Sequence, residues 1–166
     1  FQKVMRRADV DIRYSEGFSP HQIMSFAAPL GVGLESRGEY VDIEVLNTDS
    51  SKEMLRRINE NMVEGMEALS YKALPDDAGN AMSLVAAADY EVRFREGYKP
   101  ADLDAFFAGI PAFLEQEEIV IVKKTKKGER EVNIRPQIYR MEARPEHVIF
   151  LQIATGSAAN LKPDAV

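Results

Sequence analysis

The densest run of chemically active side chains is Arg13-Tyr14-Ser15-Glu16-Gly17-Phe18-Ser19-Pro20-His21. It gathers a guanidinium, a phenol, hydroxyls, a carboxylate and an imidazole around Gly17 and Pro20, two residues that favour turns. Loops held by a rigid scaffold carry binding and catalytic groups out of proportion to their length. Glu16 and His21 are the candidate acid–base pair, because proton transfer needs a carboxylate or imidazole within reach of the reacting group. A serine near His21 is not in itself a nucleophile signature, since no orienting acid or oxyanion hole accompanies it. The run also reads as a plain structural turn, with Gly17 supplying a positive φ, Phe18 tucked into the core and Glu16 in solvent.

Charge supplies the second kind of chemistry. The sequence has a net charge of −6, yet residues 123–135 hold six bases (Lys123, Lys124, Lys126, Lys127, Arg130, Arg135) and two acids, Glu129 and Glu131. Arg6, Arg7 and Arg13 form another basic group beside the dense loop. If the two groups share a face, they suit RNA phosphates, with Tyr14, Phe18 or Tyr139 able to stack on bases. Lysines on a strand edge also guard against edge-to-edge aggregation, which requires no ligand.

Other chemistries are disfavoured. Cysteine is absent, which removes disulfides, thiolate nucleophiles, iron–sulfur clusters and Cys-based zinc sites. His21 and His147 are far apart and lack any dense ligand spacing, so no metal is expected. Leu30-Gly31-Val32-Gly33-Leu34 has no following Gly-Lys-Ser/Thr, and reads as a strand break or bulge rather than a phosphate loop.

Several elements must position these groups. Residues 1–8 have helical spacing, and the sequence reads as though it starts inside that helix. Alternation predicts strands over 9–14, 39–46 and 88–95, with 22–28, 66–74, 118–124, 130–134 and 147–154 also reading as strands. Ser50 or Ser51 caps a helix over 52–62 with Met54, Leu55, Ile58 and Met62 inward. A helix over 100–116, with Leu103, Phe106, Phe107, Ile110, Phe113 and Leu114 inward, is split or kinked at Pro111. Residues 136–141 read as a short helical turn. The linker-like residues 75–80 separate a first half, 1–78, from a second, 79–166. The economical fold is α+β, two tandem ferredoxin-like βαββαβ units with the first lacking its opening strand. The alternative is a single mixed antiparallel sheet with helices on one face. No apolar run is long enough to span a membrane, and the absence of cysteine fits a reducing cytoplasm.

The motifs Tyr14-Ser15-Glu16-Gly17-Phe18-Ser19-Pro20, Ser25-Phe26-Ala27, Pro29-Leu30-Gly31-Val32-Gly33, Glu35-Ser36 and Gly38-Glu39-Tyr40 occur together. Lys124-Thr125-Lys126-Lys127-Gly128-Glu129, Asn133-Ile134-Arg135-Pro136 and Asn160-Leu161-Lys162-Pro163 follow later. In this combination the chain resembles the radical-SAM-associated (radical-SAM-linked) bacterial domain, which is fused to or encoded beside a radical-SAM protein with a cobalamin-binding-like region. That family opens with a strand and a Ser-His-Leu-Asp stretch not found here, so the chain is expected to be N-terminally incomplete. The resemblance implies a radical-SAM partner, in cis or in trans, that carries its own iron–sulfur cluster and S-adenosylmethionine, with no cofactor in this chain. The expected role is an accessory or recognition domain without activity of its own, acting in RNA modification or RNA binding. Two alternatives stay open: a small-molecule hydrolase or transferase using Glu16 and His21, and a purely structural protein-interaction domain.

Overall fold

The computed structural model describes residues 1–125 and 128–166; Lys126 and Lys127, counted above among the basic residues, lie outside the described residues. The chain divides into two compact units, Phe1–Met82 and Ser83–Val166. Both mix helices with antiparallel strands, an α+β architecture. The described strands fall into three separate sheets, which corrects the single-sheet alternative.

The first unit contains α1 (Gln2–Arg7), β1 (Met24–Phe26), β2 (Val41–Ile43) and α2 (Ser51–Glu60). β1 and β2 pair antiparallel, with Ser25 opposite Asp42. The alternating segment 9–14 forms no continuous strand but makes isolated bridges, Ile12 with Val45 and Tyr14 with Gln22. Backbone bonds from Arg13 N to Glu44 O (2.8 Å) and Ile23 N to Arg13 O (2.9 Å) join it to both neighbours. Ser50 caps α2, its side chain accepting from Glu53 N at 3.3 Å. Met54 and Ile58 of α2 are buried with Val4, Met5 and Ala8 of α1 and with Val10 and Ile12. Burying each large aliphatic contributes about 1.5–3 kcal/mol.

The segment 66–74, expected as a strand, forms none. The Asn59 side chain instead holds the backbone of one residue of it. Its Nδ2 donates to Ala68 O (3.0 Å) and its Oδ1 accepts from Ala68 N (2.7 Å), satisfying the backbone where the chain turns back on α2.

Arg57 fixes how α1 ends. Its Nε donates to Ala8 O (2.8 Å), its Nη2 donates to Asp9 O, and its Nη1 pairs with Asp49 at 2.8 Å. Ala8 is the residue that closes α1. The carbonyls at a helix C-terminus lack intrahelical donors and carry partial negative charge, so a guanidinium suits them.

In the second unit α3 (Ala81–Leu84) crosses the unit boundary, and β3 (Ala87–Val92), α4 (Leu103–Ala108), α5 (Ile110–Leu114), β4 (Val120–Thr125), β5 (Gly128–Asn133), β6 (Ile138–Arg144) and β7 (Val148–Ala154) follow. β7 is the central strand, antiparallel to β3 on one side and β6 on the other. Its near-continuous apolar run is buried almost throughout, as a central strand requires. The expected 100–116 helix is split just before Pro111, into α4 and α5. Its inward face is only partly used: Ile110 is buried, but Phe106 is exposed. Residues 136–141, expected as a helical turn, are only briefly helical. The turn Arg135–Gln137 gives way to β6, because Ile138 and Met141 pack on the core with Leu151 and Ile153.

Gly156, just beyond β7, has φ +130°, and a Cβ there would run into the Val85 carbonyl. Gly156→Ala is expected to destabilise the chain by about 2 kcal/mol or more, read as a lower urea midpoint. Arg57→Met leaves the Ala8 and Asp9 carbonyls without their charged donor. It is expected to cost about 2–3 kcal/mol in the same measurement, with Arg57→Lys recovering only part because an ammonium cannot fork.

Candidate functional site

The first unit holds an open cleft of about 210 Å³ lined by Gln2, Arg6, Tyr14, Pro20, His21 and Gln22. α1 contributes Gln2 and Arg6, four residues apart and therefore neighbours on one helical face. The dense loop contributes Tyr14, Pro20 and His21, and Gln22 follows it directly. Its base is closed by the Tyr14–Gln22 bridge and by Ser15 N donating to His21 O at 2.8 Å. The Ser15 hydroxyl accepts from His21 N (3.1 Å) and lies 2.8 Å from His21 Nδ1. Nδ1 is thus engaged by serine. When Ser15 donates to it, the neutral ring carries its proton on Nε2.

Gln22 ties the loop to the helix. It is buried, and its Nε2 donates to Gln2 O (3.3 Å) and approaches the Tyr14 hydroxyl (3.5 Å). Its Oε1 has no partner among the described residues. Because the phenol oxygen accepts from Gln22, the phenol proton is left to donate elsewhere. Arg6 has no ion pair among the described residues. The lining thus contains a guanidinium, a phenol, an imidazole and amides, and no carboxylate.

The other residues of the motif lie elsewhere. Glu16 is exposed and does not line the cleft that holds His21. Gly17 has φ +110°, the backbone conformation expected for the turn. Phe18 is fully exposed rather than in the core. Arg7 is exposed on α1, and Arg13 makes an exposed pair with Glu44 at 3.4 Å. Gln2 and Gln22 were missed at the level of sequence. The i, i+4 spacing of Gln2 and Arg6 could have found the first, and a polar residue opening an apolar strand could have found the second.

The second unit sorts its basic residues by use. Arg135 is half-buried and occupied, with Nε donating to Leu114 O (2.9 Å) and Nη1 to Ile138 O (3.1 Å). It braces the end of α5 against the start of β6. Lys124 pairs with Glu129 at 3.8 Å. Lys123 and Arg130 face each other across β4 and β5. Tyr139 is exposed.

A smaller cleft of about 150 Å³ in this unit is lined by Arg93, Phe94, Lys99, Leu103, Glu146 and His147. Glu146 (φ 62°) and His147 (φ 55°) form its turn, in left-handed conformations unusual for such side chains. His147 Nε2 lies 3.4 Å from Asp104, and its ring packs on Phe107 at 5.5 Å. Acid and base alternate here, so this cleft has no single charge preference. Among the described residues no cluster of His, Asp or Glu could hold a metal ion, and no helix is long and apolar enough to cross a membrane.

No curated protein and no solved structure matches the chain. One family model does, over residues 1–163, nearly the whole length and both units. The chain that carries this donor-rich cleft belongs to the bacterial family described as uncharacterized protein conserved in bacteria (DUF2344).

Proposed function

We propose that the chain is a recognition domain that works with a radical-SAM protein and holds an RNA strand, with the first-unit cleft receiving an anionic group of that strand. The observation that carries this reading is the lining of the cleft: an unpaired Arg6, a phenol with a free proton and a serine-tethered imidazole, with no carboxylate among them. Charge-assisted bonds from guanidinium to phosphate are among the strongest available. Phe18, in the same loop, is fully exposed, which suits base stacking.

The radical-SAM partner, with its own cluster and S-adenosylmethionine, rests on the shared motifs. Exposure of Leu30, Val32 and Leu34 within one loop supports a protein partner as well. A cytoplasmic setting belongs to the same reading. The tandem ferredoxin-like βαββαβ arrangement belongs to it too, with the antiparallel pairing of β3 and β7 in its favour, although β7 has β6 on its other side where the last strand of such a unit lies at the sheet edge. The hydrolase reading is less favoured, because Glu16 does not line the cleft that holds His21.

Binding of a fluorescent single-stranded RNA at low salt tests the proposal. Arg6→Ala is expected to weaken binding about tenfold and Phe18→Ala by about fivefold or more, at roughly 1–3 kcal/mol per lost charged contact or stacked base. Arg7→Ala, outside the cleft, is expected to change it far less. No binding at low salt, or equal effects of Arg6→Ala and Arg7→Ala, overturns the reading.

A further inference from the structure

We infer that the β4–β5 hairpin contacts RNA phosphate through one face only, the face of Lys123 and Arg130. This rests on the RNA reading above, and adds which residues of the second unit take part and which do not. Directly opposed residues of an antiparallel pair project to the same side, and successive residues to opposite sides. The register opposes Ile121 to Val132 and Lys123 to Arg130 on one face. It opposes Val122 to Glu131 and Lys124 to Glu129 on the other.

The two faces differ in charge. On the second, Lys124 is paired with Glu129 at 3.8 Å, and Glu131 adds another carboxylate. Both acids flank Arg130 in sequence, and alternation sends both away from it. On the first face Ile121 and Val132 pack against the core of the unit, and Lys123 and Arg130 stand one step further along the hairpin. Neither has an ion pair among the described residues. Like charges set directly opposite one another are destabilising. The hairpin therefore holds a repulsion that a phosphate placed between the two cations relieves. Guarding a strand edge accounts for lysines there. It does not account for opposed cations on one face with every acid of the hairpin on the other.

The test uses the full chain and a fluorescein-labelled oligouridylate, with anisotropy read over a series of salt concentrations. Lys123→Gln and Arg130→Gln are each expected to weaken binding several-fold and to reduce the slope of log affinity against log salt by about 0.7. Lys124→Gln is expected to stay within twofold of the parent. If Lys124→Gln costs as much as Lys123→Gln, the face assignment is wrong and the RNA reading survives. If the parent chain does not bind the oligonucleotide, both fall together. Thermal unfolding without RNA is a second check that needs no binding. Arg130→Gln is expected to raise the midpoint by relieving the repulsion, and a lowered midpoint refutes the opposed-cation argument.

Discussion

Both units depend on one arginine turned inward against backbone carbonyls. Arg57 binds the carbonyls of Ala8 and Asp9 where α1 ends, and Arg135 binds Leu114 O at the end of α5 and Ile138 O where β6 begins. The last carbonyls of a helix lack intrahelical donors, and leaving them buried without a partner costs free energy comparable to a lost hydrogen bond. A planar guanidinium can serve two such oxygens at once, whereas an ammonium on a flexible stem holds them with less geometric control. The same contact that satisfies the helix end therefore also fixes its direction relative to the segment that follows.

This matters for the candidate site because α1 carries two of its six lining residues, Arg6 among them. Arg57 and the buried contacts of Val4 and Met5 with Met54 and Ile58 set the position of α1, and the opposite face of the helix then presents Gln2 and Arg6. Gln22 completes the arrangement by tying the dense loop to the Gln2 carbonyl. The helix and the segment after the loop are thus joined through a backbone acceptor, the Gln2 carbonyl.

Some of this was legible in the sequence. Spacing located α2, its cap at Ser50 or Ser51 and the buried Met54 and Ile58; Pro111 located the break between α4 and α5; the apolar run of β7 marked a strand. These depend on local patterns that a single segment contains. The missing strand at 66–74 could not be read, because the Asn59 amide that holds the Ala68 backbone lies outside the segment. The uses of the basic residues were equally hidden. Arg135, Lys124 and Arg130 are alike as letters, and only the register and the nearby carbonyls separate a helix brace, a neutralised lysine and an unpaired cation. The dense loop was recognised as a candidate, but its outcome was divided, with His21 at the cleft and Glu16 and Phe18 in solvent.

The overall acidity of the chain gives the local exclusion of carboxylates its meaning. With a net charge of −6, a surface of random arrangement would place acids near most bases, as happens at Arg13 with Glu44 and at Arg56 with Glu53 and Glu60. Pairs of that kind are solvent-exposed and contribute little, and they leave no positive potential for a ligand. The cleft around Arg6 and the Lys123–Arg130 face escape this pairing. A polyanion is repelled by the general field and attracted at such places, so binding to them is more selective than binding to a uniformly basic surface. On the RNA reading proposed above, isolated unpaired cations on an acidic chain favour holding one strand at particular places over coating nucleic acid at large.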